Sequence, residues 1–209
     1  MQLYICKIQE FIHLNGFSLV TESRKDRINS YMRAEDKARC LVSGLLLRRI
    51  CGIVDDRQLI YSKNGKPYLK NEKKYFTISH SGNYVVLAIA NREIGVDIEK
   101  TTHYSDAVAR RCFTPLECEW MHHQGSNEAF YYLWTAKESV MKASGLGFSL
   151  LPETFHVLPI NASAHYIAGK TWFLDWHVYD DHVICLTIED KAEKTEIIPL
   201  MSNDLLDMY

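Results

Sequence analysis

Apolar and polar residues alternate over residues 2–9, which is typical of a strand whose two faces meet different surroundings. Two later runs, FTIS (76–79) and YVVLAIA (84–90), are apolar on both faces, and this predicts a covered, central position in a sheet. REIGVDIEK (92–100) contains the next predicted strand, and only a short turn at 91–93 separates it from the preceding one. We therefore predict that these last two strands form a hairpin.

Helical spacing of apolar residues marks three further segments, of which the first runs from about Ala34 to Cys51. The second opens at Thr114-Pro115-Leu116-Glu117, a capping box with proline at the first helical position, and continues to about His122. Residues 128–144 form the strongest predicted helix, and Gly145 after it suits a left-handed cap.

The C-terminal part of the chain predicts a second hairpin, in which WFLDWHVY (172–179) and VICLTIE (183–189) flank Asp180-Asp181-His182. Each half of the chain therefore resembles the other, as a helix plus an antiparallel hairpin, and the predicted fold class is α+β. The second half starts after residue 100, so we predict an N-terminal subdomain of residues 1–100 and a C-terminal subdomain of residues 101–209.

The composition is that of a globular protein, because 47% of the 209 residues are hydrophobic and 24% are charged. The formal net charge of −2 provides no basic field, so we expect no nucleic-acid partner. MQLYICKIQEFI lacks a basic region before an apolar run, and no apolar stretch approaches the ~18 residues of a membrane span. Six cysteines without a CxxC pair favour reduced thiols, and we expect a cytoplasmic protein with no membrane partner.

The strand at 92–100 carries the first candidate chemistry. Side chains alternate along a strand, so Asp97 and Glu99 share one face while Ile94, Val96 and Ile98 share the other. Two carboxylates side by side repel each other unless a positive group lies between them. One interpretation is a solvated edge paired with neighbouring basic side chains. The other is a Mg²⁺ site, since Mg²⁺ is usually held by one or two carboxylates plus water and substrate phosphate.

A third carboxylate is available on the predicted helix 128–144. Glu138 and Lys142 are four residues apart, so they lie on the same side of the helix. An ordinary helix ion pair between them is one interpretation. The other is a functional site, because Glu138 borders the apolar stripe that contains Trp134 and is expected to be partly buried.

Three more residues lie where strands or turns end. His80 follows a predicted strand and suits either a structural role or phosphate binding and proton transfer. Lys66, in the turn NGKP, is either a solvated lysine or a phosphate ligand, although the glycine spacing is not that of a P-loop. Ser79 lacks the G-x-S-x-G surroundings of a hydrolase nucleophile, which excludes a serine hydrolase of that type.

Taken in order along the chain, these segments resemble the Sfp-type 4′-phosphopantetheinyl transferases. The matching stretches are GKPYL (65–69), FTISHSG (76–82), IGVDIEK (94–100), FTPLE (113–117) and FYYLWTAKESVMKASGLG (130–147), with a looser match over 31–48. The combination of G-V-D-I-E with a later W-T-x-K-E-S-x-x-K is specific, whereas any single piece would be weak. The resemblance covers roughly residues 31–147.

The resemblance implies two similar subdomains, related by a pseudo-twofold axis, with coenzyme A bound in the cleft between them. It also implies an enzyme that moves the 4′-phosphopantetheine arm of coenzyme A to a serine of an apo acyl or peptidyl carrier protein. Adenosine 3′,5′-bisphosphate would be released, and Mg²⁺ would be the cofactor. We expect the protein to act as a monomer.

The resemblance also assigns roles to individual residues. Asp97 and Glu99 match the metal-binding pair of the family, Glu138 matches a third acidic residue that is metal ligand or general base, and Lys142 matches a lysine near the pyrophosphate. The positions that match residues contacting coenzyme A are Arg39, Lys66, Pro67, Ser79 and His80. Glu117 matches another acidic family position, although its capping-box role explains it without chemistry.

The sequence departs from the family pattern at Thr77, where the family often has asparagine. Candidates for binding the ribose 3′-phosphate are Arg24, Lys25, Arg27 and Arg33. Two rival functions stay open: a non-catalytic module that binds coenzyme A or a carrier protein, and a magnesium-dependent pyrophosphatase. A binding module would lack one of the three acidic residues Asp97, Glu99 and Glu138, which are all present. A pyrophosphatase would require a denser acidic cluster, such as several glutamates on one helix turn, and none appears in the sequence.

Overall fold

The structure is a computed structural model that describes residues 1–13, 17–162 and 164–206. It has the predicted α+β composition. The strands are β1 (Gln2–Lys7), β2 (Leu59–Tyr61), β3 (Pro67–Leu69), β4 (Tyr75–Ser81), β5 (Tyr84–Ala90), β6 (Ile94–Lys100), β7 (His165–Ile167), β8 (Lys170–Tyr179), β9 (His182–Glu189) and β10 (Glu196–Leu200). The α-helices are α1 (Glu22–Ser30), α2 (Ala34–Cys51), α3 (Asp106–Cys112), α4 (Pro115–Gln124), α5 (Asn127–Ser144) and α6 (Ser202–Leu206).

The first sheet has the strand order β10-β1-β5-β4, and it is antiparallel except for the parallel pair β1–β10. Every residue of β5 is buried, which confirms the predicted central position of YVVLAIA. Helix α2 covers one face of this sheet, because Leu41 and Leu45 of the helix pack in one apolar cluster with Val85 and Leu87 of β5.

The second sheet is antiparallel and has the order β6-β9-β8-β7. Helix α5 covers it, with Leu133 and Val140 in the same apolar cluster as Trp172 and Cys185. A two-residue loop joins β8 to β9, as the predicted C-terminal hairpin requires. The two small sheets, each packed against a helix, match the predicted pair of similar halves.

A third apolar cluster joins the two sheets to each other. It contains Leu3 and Val86 from the first sheet and Val96 and Ile98 from the second, all fully buried. The apolar face of β6 therefore packs against the first sheet, and its other face, with Asp97, points away from this cluster. The alternation predicted for residues 94–99 is confirmed.

The predicted hairpin between β5 and β6 is wrong. Strand β6 pairs with β9, with Asp97 opposite Cys185, instead of continuing the first sheet. The physical reason is that both edges of β5 already carry hydrogen-bonded neighbours, β1 and β4, so the chain crosses to the second sheet after Ala90.

Strand pairing crosses residue 100 in both directions. Strand β6, which precedes that residue, belongs to the second sheet, and β10, near the end of the described chain, belongs to the first. The division into residues 1–100 and 101–209 stays a prediction about the two halves as units.

The structure confirms the two helix ends that were predicted from capping residues. Thr114 and Glu117 form the capping box of α4, and Gly145 ends α5 in the left-handed conformation, with φ of 68°. Within the described residues, none of the helices combines the length and apolarity needed to cross a bilayer.

Candidate active site

A cleft of about 600 Å³ opens between the two halves. Strand β4 and helix α1 line it on the side of the first sheet, β6 and α5 line it on the side of the second sheet, and the β2–β3 ribbon borders it. The polar residues along its walls include Arg24, Arg27, Tyr31, Ser79, His80, Asp97, Glu99, Glu138 and Lys142. The structure thus brings together all of the predicted metal-binding and catalytic residues.

Glycine at position 95 allows β6 and α5 to approach closely enough to build this site. A Cβ atom there would lie 1.9 Å from the carbonyl oxygen of Ser139 and 2.6 Å from the backbone nitrogen of Ala143. These contacts are with helix backbone, so a side-chain movement could not relieve them. The missing side chain lets the helix rest on the strand, with Glu138 and Lys142 above the carboxylate face.

Asp97 is the most enclosed carboxylate of the cleft, since 3% of the residue is exposed. The Lys142 ammonium donates to Asp97 Oδ1 at 2.6 Å and to the Ser79 hydroxyl at 3.0 Å. Ser79 in turn donates to the same Oδ1 at 2.8 Å. The second oxygen, Asp97 Oδ2, is buried and has no hydrogen-bond partner within the described part of the chain.

Glu99 and Glu138 are half-buried, and their carboxyl groups are weaker acids than those of exposed glutamates. Burial raises the pKa of Glu99, and the neighbouring charge of Asp97 raises it further. A hydrogen bond from the Ser81 hydroxyl, at 2.7 Å, opposes that rise. Burial also raises the pKa of Glu138, although the Lys142 charge acts in the opposite direction. Both side chains therefore gain proton affinity from the cleft.

The structure separates the two interpretations of the Glu138–Lys142 spacing. Lys142 pairs with Asp97 of β6 instead of with Glu138 one turn before it in α5. The ordinary helix ion pair is therefore not the arrangement formed. Glu138 keeps its carboxylate toward the cleft, as the functional interpretation requires.

His80 lies on the cleft wall at the end of β4 with an exposed side chain. The protein atoms around the ring, and then the Arg39 guanidinium, lower its pKa. Arg39 itself bonds to the Gly82 carbonyl at 2.6 Å and to Asp36 at 2.5 Å. Its charge thus faces the turn after His80, next to the cleft.

Lys66 and Pro67 are neighbours in sequence but face different surroundings. Pro67 lines the main cleft. The Lys66 ammonium instead forms an ion pair with Glu93 at 2.6 Å. Burial lowers the pKa of Lys66, and the Glu93 carboxylate opposes that effect.

Glu117 lies apart from the cleft in the interior of the second half. It is fully buried and accepts hydrogen bonds from Thr114 and from the backbone of Val157. The equally buried Lys137 ammonium lies 2.8 Å away and also donates to the carbonyl of Phe155. These contacts explain Glu117 as a structural residue, which agrees with its capping box.

Several cleft residues were missed by the sequence reasoning. Trp134 had the visible signal, because it lies one helical turn before Glu138 on the same face. Tyr31, Phe76 and Ile78 gave no such signal, since their place on the wall depends on the tertiary packing of the first apolar cluster. Arg24 and Arg27, two of the four arginine and lysine candidates, do line the cleft.

No group of three or more His, Cys, Asp and Glu side chains in the described residues encloses a metal position. A site built from Asp97 and Glu99 would thus need ligands from outside the chain. Mg²⁺ commonly uses substrate phosphate and water in that way.

Comparison with known proteins matches nearly the whole chain. Residues 93–190 match the sequence profile of the 4′-phosphopantetheinyl transferase superfamily, and residues 9–92 match that of the 4′-phosphopantetheinyl transferase N-terminal region. The chain is 32% identical over 149 residues to 4′-phosphopantetheinyl transferase Sfp of Bacillus subtilis, covering 67% of this chain and 66% of that protein.

Two further relatives extend the match. The chain is 31% identical over 148 residues to 4′-phosphopantetheinyl transferase gsp of Aneurinibacillus migulanus, covering 67% of this chain and 62% of the relative. It is 32% identical over 184 residues to the L-aminoadipate-semialdehyde dehydrogenase-phosphopantetheinyl transferase of Xenopus laevis, covering 75% and 60%. The chain thus spans slightly less than two thirds of the length of these relatives.

Proposed function

Because this chain belongs to the 4′-phosphopantetheinyl transferase superfamily, we propose that it transfers the 4′-phosphopantetheine arm of coenzyme A to a carrier-protein serine. One observation carries the proposal: Asp97, Glu99, Glu138 and Lys142 meet on one side of a cleft that also presents arginines. A pyrophosphate needs the basic groups, and an incoming hydroxyl needs a carboxylate that accepts its proton.

Coenzyme A would lie along the cleft with its phosphates toward the basic side chains. Arg24 and Arg27, on α1, line the cleft and would bind the ribose 3′-phosphate, since guanidinium groups pair well with phosphate oxygens. His80 and Ser79 would contact the phosphates from β4, and Pro67 would border the ligand from the ribbon. Arg39 would support this wall through the Gly82 turn that it holds.

Mg²⁺ fits the residues present, because Asp97 Oδ2 is a buried oxygen without a partner in the described chain and Glu99 lies on the same strand face. Asp97 and Glu99 would hold the ion, and Glu138 faces the same part of the cleft. When bound, Mg²⁺ supplies charge neutralisation for the pyrophosphate.

The chain's own residues account for the proton and charge movements of the transfer. The serine hydroxyl of the carrier attacks the phosphorus that bears the pantetheine arm. A new O–P bond forms, the pyrophosphate P–O bond breaks, and adenosine 3′,5′-bisphosphate leaves. Glu138 accepts the hydroxyl proton, since its raised pKa makes it a better base than an exposed glutamate. Lys142 stabilises the charge that grows on the leaving phosphate.

The partner that fits this chemistry is an apo acyl or peptidyl carrier protein, and the protein would act as a monomer in the cytoplasm. A non-catalytic binding module is the rival outcome. The convergence of three carboxylates on the cleft favours the enzyme, because binding an anionic ligand alone would gain nothing from them.

The test is to incubate the protein with coenzyme A, Mg²⁺ and a panel of apo carrier proteins, and to weigh each carrier by intact-protein mass spectrometry. We expect at least one carrier to gain one phosphopantetheine, with one adenosine 3′,5′-bisphosphate released for each carrier modified. A carrier whose acceptor serine is changed to alanine is the control. Coenzyme A binding without any modified carrier would support the binding module instead.

A further inference from the structure

Three acceptors from two separate parts of the chain enclose the ammonium of Lys66. Its Nζ donates to Glu93 Oε2 at 2.6 Å, to the Ala143 carbonyl at 2.8 Å and to the Ile94 carbonyl at 3.2 Å. An ammonium has three N–H donors and no acceptor, so each donor already has a partner. The Lys66 side chain is only 9% exposed, so water has little access to the ammonium. Removing one of the three acceptors would leave a buried N–H group without a partner, which costs stability.

Neighbouring contacts reinforce this enclosure. Asn64, from the same turn as Lys66, donates its side-chain amide to the Gly145 carbonyl at 3.0 Å. The Tyr68 hydroxyl donates to Glu93 Oε1 at 3.1 Å, so both carboxylate oxygens of Glu93 are engaged. The β2–β3 ribbon is thus fastened to the start of β6 and to the end of α5.

The end of α5 needs such a fastening. The last four carbonyl groups of a helix have no partner within it, and a positive charge there is favourable for the helix dipole. Lys66 supplies both a donor and a charge to the Ala143 carbonyl. Ala143 follows directly after Lys142, whose ammonium must reach Asp97 and the substrate from this last turn.

We propose that Lys66 and Glu93 form a tie that positions Lys142, and that the Lys66 ammonium is a positioning group and not a coenzyme A ligand. The proposal rests on the proposed transferase function for its consequence in catalysis. It gives Glu93 a role that nothing in the sequence indicated. It also replaces the ligand role that the family resemblance implied for Lys66.

The experiment compares Lys66→Met, Glu93→Gln and the double variant, with Lys63→Met as the control. Lys63 is an exposed lysine of the same turn, so its removal takes away one charge without touching the tie. The coenzyme A dissociation constant is measured by calorimetry, and kcat by carrier mass. We expect kcat to fall about tenfold in Lys66→Met, with the dissociation constant within about twofold of wild type.

Glu93→Gln distinguishes a tie from a ligand, because this residue would not touch coenzyme A. We expect kcat to fall in Glu93→Gln as well, and the double variant to be no worse than Lys66→Met, since both changes break one unit. Hydrogen exchange at the backbone amides of residues 142–145 should quicken in both single variants and not in Lys63→Met.

A dissociation constant about tenfold higher in Lys66→Met, with Glu93→Gln unchanged, would make Lys66 a ligand and overturn the tie. Unaltered kcat in both single variants would overturn the positioning role. Should Lys66→Met not fold, Glu93→Gln alone decides, by the same kcat and exchange measurements. If wild type modifies no carrier, the transferase proposal fails, and unchanged exchange at residues 142–145 would separately refute the tie.

Discussion

At the scale of single residues, the cleft holds acidic groups in positions that cost the fold stability. Glu138 and Glu99 both have a raised pKa because the protein buries them, while Lys142 compensates only in part. A carboxyl that binds its proton more tightly in the folded than in the unfolded state weakens the fold wherever it is ionised. Such a cost is typical of groups kept for chemistry.

We expect Glu138→Gln to be more stable than wild type at neutral pH. Glu138 is ionised in both states above its raised folded pKa, so the penalty is fully present there. As pH falls through that pKa toward the ordinary value of 4.5, the folded protein takes up a proton and the penalty disappears. The gain in melting temperature should therefore shrink with acidification.

Melting temperatures from pH 8 down to pH 4 check this, and Glu72→Gln is the control because Glu72 is exposed and does not line the cleft. A Glu138→Gln protein less stable than wild type at neutral pH would show that the carboxylate is held by favourable contacts.

At the scale of elements, the site depends on one close contact between β6 and α5. We expect Gly95→Ala to cost about 3 kcal/mol, because a Cβ atom there would meet the helix backbone and the helix must move. Turnover should fall about a hundredfold, because Glu138 and Lys142 belong to that helix and would move out of position with it. Thermal unfolding and carrier mass measure the two effects.

Gly52→Ala is the matched control. Gly52 ends α2 in the left-handed conformation, with φ of 67°, and its Cβ would meet open space. This change should cost about 1 kcal/mol through backbone strain and leave turnover per folded molecule unchanged. Equal turnover in both variants would mean that the helix position does not set the chemistry.

The elements themselves were largely predictable because their signals are local. The capping box at Thr114, the cap at Gly145 and the alternation around Asp97 each depend on residues only a few positions apart. Partner choice was not predictable, since it depends on groups distant in sequence. Lys142 pairs with Asp97, 45 positions away, and Lys66 pairs with Glu93, 27 positions away.

At the scale of the whole molecule, the two halves are interwoven. β6 leaves the first half to pair with β9, and β10 returns from the second half to pair with β1. Helix α6 follows β10, and its Leu205 is buried in the first apolar cluster. The sequence suggested a boundary at residue 100 because each half has the same order of elements, and local patterns do not reveal such exchanges.

We expect residues 1–100, produced alone, not to fold cooperatively. This fragment lacks β10, the hydrogen-bonded neighbour of β1, and β9, the hydrogen-bonded neighbour of β6. The backbone N–H and C=O groups of β6 would therefore have no strand to pair with. Circular dichroism during heating, with the full chain as the control, is the measurement. A sharp, two-state unfolding transition in the fragment would show that the first half is self-sufficient.

In the proposed reaction, the carboxylates and the lysine between the two sheets carry out the transfer, and Glu138 is the base. The most direct measurement is the turnover of Glu138→Gln at saturating coenzyme A and carrier, together with its affinity for coenzyme A. Glutamine keeps the size and the helix propensity of glutamate but cannot accept the proton. We predict turnover lowered about a hundredfold or more in a fully folded protein that still binds coenzyme A. Wild-type turnover in Glu138→Gln would show that Glu138 is not the base of the transfer.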